Sequence, residues 1–214
     1  MAVAASSLRT GSRHWPLGAA AVLLAALWSG PLPSLARISF SWHMILHLGV
    51  MLGAAPLLAL GLARSGLAPR RAGALLAIGV SMAELAVVWG WHVPGLHEAA
   101  ALSPLAFAMQ QGSFLVAGTL VWLPGLAPGR AAAGSGGLAL MMSFMHMSML
   151  GVLLATAPGL IYAPEICGGA WGLTPLQDQR LGGVLMALGG GLPYFAGAAI
   201  LIWRFLSMSG QDRA

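Results

Sequence analysis

Phe40 to Ala63 reads "FSWHMILHLGVMLGAAPLLALGLA", a stretch with no Asp, Glu, Lys or Arg. About 20 predominantly apolar residues in a helix cross a hydrocarbon core of roughly 30 Å, so this stretch decides the fold: it is a membrane span. It also carries two imidazoles, His43 and His47, four residues apart and therefore on one helical face. A polar side chain in hydrocarbon costs several kcal/mol unless it has a partner or water. The pair needs a reason.

The rest of the chain agrees with the span. Of the 214 residues, 58% are hydrophobic and 7% charged, and the mean hydropathy is +0.84, outside the range of a domain with a polar surface. Further apolar runs lie near 72–93, 105–124, 137–160 and 181–205, with 39–63 as the first of these five. A weaker run, near 15–36, follows Arg9 and Arg13 and is broken by "GPLPS"; it reads as a short first span or a signal peptide. The span is the better reading, because "ALWSG" offers no clean small-x-small cleavage site. The expected architecture is all-α, a polytopic transmembrane helix bundle of about six spans. Residues 1–38 form an N-terminal arm and weak first span, 39–205 the bundle and 206–214 a cytoplasmic tail. Thirty glycines suit close helix packing in lipid, and no internal repeat of the transporter kind is visible.

All ten basic residues are arginine. Arg9, Arg13, Arg64, Arg70, Arg71, Arg130, Arg204 and Arg213 fall on one side of the expected spans, and only Arg37 and Arg180 on the other. The positive-inside rule then places both termini in the cytoplasm. The net charge of +5 is thus a topology signal, and lipid rather than nucleic acid is the expected partner of this surface.

Three groups of side chains carry chemistry. His43, His47 and Met51 descend one face from the outer end of their span, at depths of roughly 5, 10 and 16 Å. In "MMSFMHMSML" (Met141 to Leu150), Met142, Met145, His146 and Met149 share a face, with Met149 about 15 Å and His146 about 20 Å deep, so the two faces are expected to meet. In "WGWHVPGLHE", His92 ends the third span and His97 and Glu98 follow in a short loop. Imidazole with thioether is a ligand set that suits Cu(I), and the candidate ligands are His43, His47, Met51, His92, His146 and Met149. Glu84, in mid-span, is a proton or ion site by default, or else a partner of a nearby Ser or His. The single cysteine, Cys167, is a spare thiol or a metal or redox ligand. Methionine also fills helix interfaces without any ligand role, and a lone His can simply bond a neighbouring helix.

"HMILHLGVMLGAAPLLALG" (His43 to Gly61), "WHVPGLHEAA" with "SFLVAGTLVW" (Trp91 to Trp122) and "LTPLQDQRLGGVLM" (Leu173 to Met186) together resemble the CtaG family of bacterial cytochrome c oxidase assembly factors, polytopic proteins linked to caa-type oxidases. The resemblance covers about 39–205, and "PLQDQRLGG" is its most specific block. It implies that the family's paired histidines fall on His43 and His47, its Trp-His-x-Pro on Trp91, His92 and Pro94, and its Asp-Gln on Asp178 and Gln179. Where members usually show a His and then Glu-His, this chain has Phe107, Gln110 and Gln111.

The function implied is non-catalytic: assembly of a haem-copper oxidase in the bacterial inner membrane, with copper, as Cu(I), bound on the outer side and presented to an oxidase subunit. The alternatives are a haem-binding electron-transfer protein with axial His ligands from two helices and a metal or proton transporter through Glu84.

Overall fold

The computed structural model describes residues 2–211, with side chains from 14 to 208. Every regular element among them is helical: α1 (Ala2–Ser29), α2 (Leu32–Ala36), α3 (Phe40–Arg64), α4 (Ala74–His92), α5 (Pro94–Leu102), α6 (Pro104–Leu126), α7 (Arg130–Thr156) and α8 (Pro175–Met208). Five of these, α3, α4, α6, α7 and α8, are long and apolar enough to cross a membrane, and His14–Ser29 of α1 is a shorter apolar helix. The side chains of Arg9, Arg13 and Arg213, and those of the tail beyond 208, lie outside the described residues.

Small residues set the packing. Helix α1 runs antiparallel along α3, its Leu27, Leu23 and Leu17 seated over Gly49, Gly53 and Gly61. Between α7 and α8 the backbones themselves touch: a Cβ on Gly151 would run into the Ala187 nitrogen, and one on Gly183 into the Ala155 nitrogen. Lipid is as apolar as leucine, so such close approach is what holds membrane helices together.

Two spans start earlier than the hydropathy predicts. Helix α7 begins at Arg130 rather than 137, directly after Gly129, whose φ of 92° turns the chain. Helix α8 begins at Pro175 rather than 181, with Thr174 and Gln177 forming a reciprocal capping box around a proline in the first turn. The first stretch is mostly Ala and Gly behind an Arg and the second is polar, so neither stands out in an apolar count. The stretch after His92, expected as a loop, is helix α5, opened by Pro94.

Helices α3 and α8 each contain one π-helical segment, Gly49–Ala54 and Leu185–Gly190. In α3 the Ala55 N–H reaches back to the Val50 carbonyl, which leaves the Met51 carbonyl to accept from the Trp122 indole at 3.3 Å. A π turn is thereby held from outside its own helix.

The histidine-bearing ends of α3 and α4 share one end of the bundle with α5 and the 157–174 segment. Tyr162 donates to the His92 carbonyl at 2.9 Å, Gly168 N–H to the Ile38 carbonyl and Arg37 Nε to the Ala101 carbonyl at 2.6 Å. Reporter fusions should resolve which side this is. Fusions after Arg71 and Arg130 are expected to score cytoplasmic and fusions within 96–103 or 165–178 external; the reverse pattern would put the histidine end inside.

Candidate metal centre

The N-terminus of α3 is built to hold a buried carboxylate. Asp178, fully buried in the first turn of α8, accepts from Phe40 N–H at 2.7 Å, from Ser41 N–H at 3.4 Å and from the Ser39 hydroxyl at 3.0 Å, while the Ser41 hydroxyl donates to the Asp178 carbonyl. First-turn amides and the helix dipole both favour an anion there. Gln179 beside it accepts from Ile161 N–H at 2.7 Å and donates to the Gly159 carbonyl. The Asp-Gln pair therefore ties α8, the start of α3 and the 157–174 segment together, and fixes the turn that carries His43.

Next to that anchor four imidazoles converge. His43 lies 4.7 Å from His97, 5.7 Å from His92 and 6.3 Å from His47, ring centre to ring centre, and His47 lies 5.5 Å from His92. All four are buried. Phe40 and Tyr162 cover them on one side, Phe114 of α6 on the other, 4.2 Å from His47. The Cys167 sulfur lies 3.7 Å from His97 Nε2. Five ring nitrogens have no hydrogen-bond partner: His43 Nε2, both nitrogens of His47, His92 Nε2 and His97 Nδ1. Buried polar atoms are nearly always satisfied, and five orphans in one cluster make this the candidate binding place among the described residues.

Electrostatics favour a neutral donor set. Burial, with His92 beside it, holds the His97 imidazole down at about 3, and burial pushes the Cys167 thiol up to about 12, helped by Asp178 and Glu98. Neutral imidazole is the ligand form, and a thiol gives up its proton when a metal arrives. Rings around one tetrahedral ion, with metal–nitrogen bonds of about 2.0 Å, have centres about 5 Å apart, close to the spacings here. No three His, Cys, Asp or Glu side chains among the described residues already point at one ion. The rings would have to turn to share it.

Glu84 forms a separate cluster. It is fully buried in α4, accepts from the Tyr194 hydroxyl at 2.6 Å and from the Ser143 hydroxyl, and faces His146 Nε2 at 3.3 Å.

The candidate ligands therefore divide. His43, His47 and His92 come together. Met51 is buried one turn below them, its backbone in contact with Gly118 of α6. His146 joins Glu84 instead, and Met149 is about half exposed on the rim of a groove between α4 and α7. The face of Met142, Met145 and Met149 does not meet the α3 ladder, because another face of α7, with Gly136, Ala139, Ser143, Met147 and Gly151, is buried. Small residues permit the closer packing and take the interior.

His97 and Cys167 belong to the cluster without being in the candidate set. The helix-opening Pro94, just after His92, is the signal that brings His97 inward; nothing local marks Cys167. The glutamines at the departed positions are buried in α6, Gln111 accepting from the Trp28 indole at 3.4 Å, and Phe114, about one turn on, is the α6 side chain at the imidazoles.

A family model described as cytochrome c oxidase caa3 assembly factor matches residues 3–207. No curated protein and no solved structure matches the chain.

Proposed function

This chain belongs to the cytochrome c oxidase caa3 assembly factor family, and from that premise we propose that it binds Cu(I) in the imidazole cluster of His43, His47, His92 and His97, with Cys167 as a further donor, and supplies the ion to an oxidase subunit from the outer face of a bacterial inner membrane. The observation that carries this reading is the set of five unpartnered nitrogens on four packed, buried imidazoles. Unpaired lone pairs in an apolar interior are costly, and a soft cation satisfies several at once. Imidazole with thiolate suits Cu(I).

The protein's part is binding and release, with no bond of a substrate made or broken. The cluster lies under Tyr162 and the 157–174 segment, so an arriving subunit meets that segment first.

The test is metal analysis of detergent-purified protein expressed with copper, together with its visible spectrum. Copper bound in a colourless protein, and lost from a His43→Ala/His92→Ala variant, is the expected result. A Soret band would replace the ion with haem held by the same imidazoles, and metal-free protein would remove the reading.

A further inference from the structure

The groove between α4 and α7 has a cavity of about 240 Å³ lined by Met82, Leu85, Met142, Met145, His146 and Met149. Four of these six lining residues are methionine. His146 is 4% exposed, its Nε2 is turned to Glu84 and its Nδ1 has no partner. With Glu84 as the carboxylate acceptor, Nε2 would carry the ring proton and Nδ1 would offer its lone pair. An imidazole that gives one N–H to a carboxylate and keeps the other nitrogen free is the usual arrangement of a metal-ligating histidine, in which the carboxylate orients the ring and raises its basicity. Glu84 itself accepts from Tyr194, Ser143 and His146, and none of these three is permanently charged. With Glu84 ionised, a single positive charge in the groove, relayed through His146, would complete the balance.

We propose that the α4–α7 groove is a second site for a soft monovalent cation, Cu(I) by its donor set, held by His146 Nδ1 and the methionine thioethers with Glu84 as counter-charge. It shares only the identity of the ion with the imidazole-cluster reading. Thioethers on flexible stems are adaptable ligands, and half-exposed Met145 and Met149 place the ion at the membrane-facing surface of the bundle.

The experiment titrates Cu(I) into reduced, full-length protein in detergent against a competing chelator, in a Cys167→Ser background so that methionine is the only sulfur donor, with copper K-edge absorption on the loaded samples. At saturating Cu(I) the background protein should take two ions per chain, the cluster ion held more weakly by its four imidazoles alone and the groove ion unaffected. Adding Met142→Leu/Met149→Leu, which conserves volume, should leave one ion and remove the sulfur scattering, and Glu84→Gln should weaken the groove ion about 10- to 100-fold. The remaining ion should weaken about 100-fold with His47→Ala. Unchanged stoichiometry and sulfur scattering in the double methionine variant would overturn the groove site. A single ion weakened by His47→Ala alone would also overturn it while leaving the cluster intact; a single ion removed only by the groove variants would keep the groove and overturn the cluster.

Discussion

His47→Ala is expected to weaken copper binding about 100-fold, equivalent to about 2.8 kcal/mol, while the protein stays folded and at normal abundance in the membrane. The reason lies in what the ring does not do. Neither nitrogen of His47 has a partner, so removing the imidazole orphans no other group. It relieves the desolvation of two polar atoms and leaves a cavity beside Phe114, effects that oppose one another. A histidine kept for a structural hydrogen bond behaves differently, since deleting it leaves a buried group unsatisfied at about 1–3 kcal/mol. Membrane abundance by immunoblot, thermal stability in detergent and copper content are the three readouts. A marked fall in abundance, with copper per chain unchanged, would assign His47 to folding.

Asp178→Ala is expected to do the opposite, destabilising by about 1–3 kcal/mol for each buried donor left unsatisfied and removing most of the protein from the membrane. One carboxylate accepts from two backbone amides and a hydroxyl at the head of α3, and alanine leaves them buried without an acceptor. Asp178→Asn keeps the shape and one carbonyl oxygen, but turns an amide towards N–H groups, so an intermediate loss is expected. Normal abundance of Asp178→Ala would show that water or Ser39 replaces the carboxylate.

Much of this molecule is legible in its sequence, and the parts that are not share a cause. The spans follow from apolar runs, and the pairing of His43 with His47 follows from helical spacing; that His92 lies near them follows from its place at the same end of the bundle. His97 and Cys167 are brought in by the path of the chain between spans, which spacing along one helix does not describe. The rotation of α7 depends on which of its two faces packs more closely, a comparison of glycine and serine against methionine that hydropathy alone does not make. Glu84 is conspicuous as an acid in a span, but Tyr194 and Ser143 look ordinary until three helices are assembled. The Asp-Gln block is legible as a motif without revealing that its carboxylate belongs to the first turn of α3.

Where Gly151 and Gly183 bring the backbones of α7 and α8 into contact, no side chain intervenes, so nothing can repack to absorb a slip of register. Moving α8 by one residue in one direction drives the Val184 side chain against Ala155; in the other it brings Met186 to the place of Ala187, facing Gly151. Either slip also carries every group on α8 about 1.5 Å along the axis and about 100° around it. Asp178 rides on the same helix, little more than a turn from Gly183, so its carboxylate would leave the amides of Phe40 and Ser41. Two glycines that touch no imidazole thus act as the gauge for the height at which the head of α3 is held, and a bulky replacement at either would surface as a fault in the histidines.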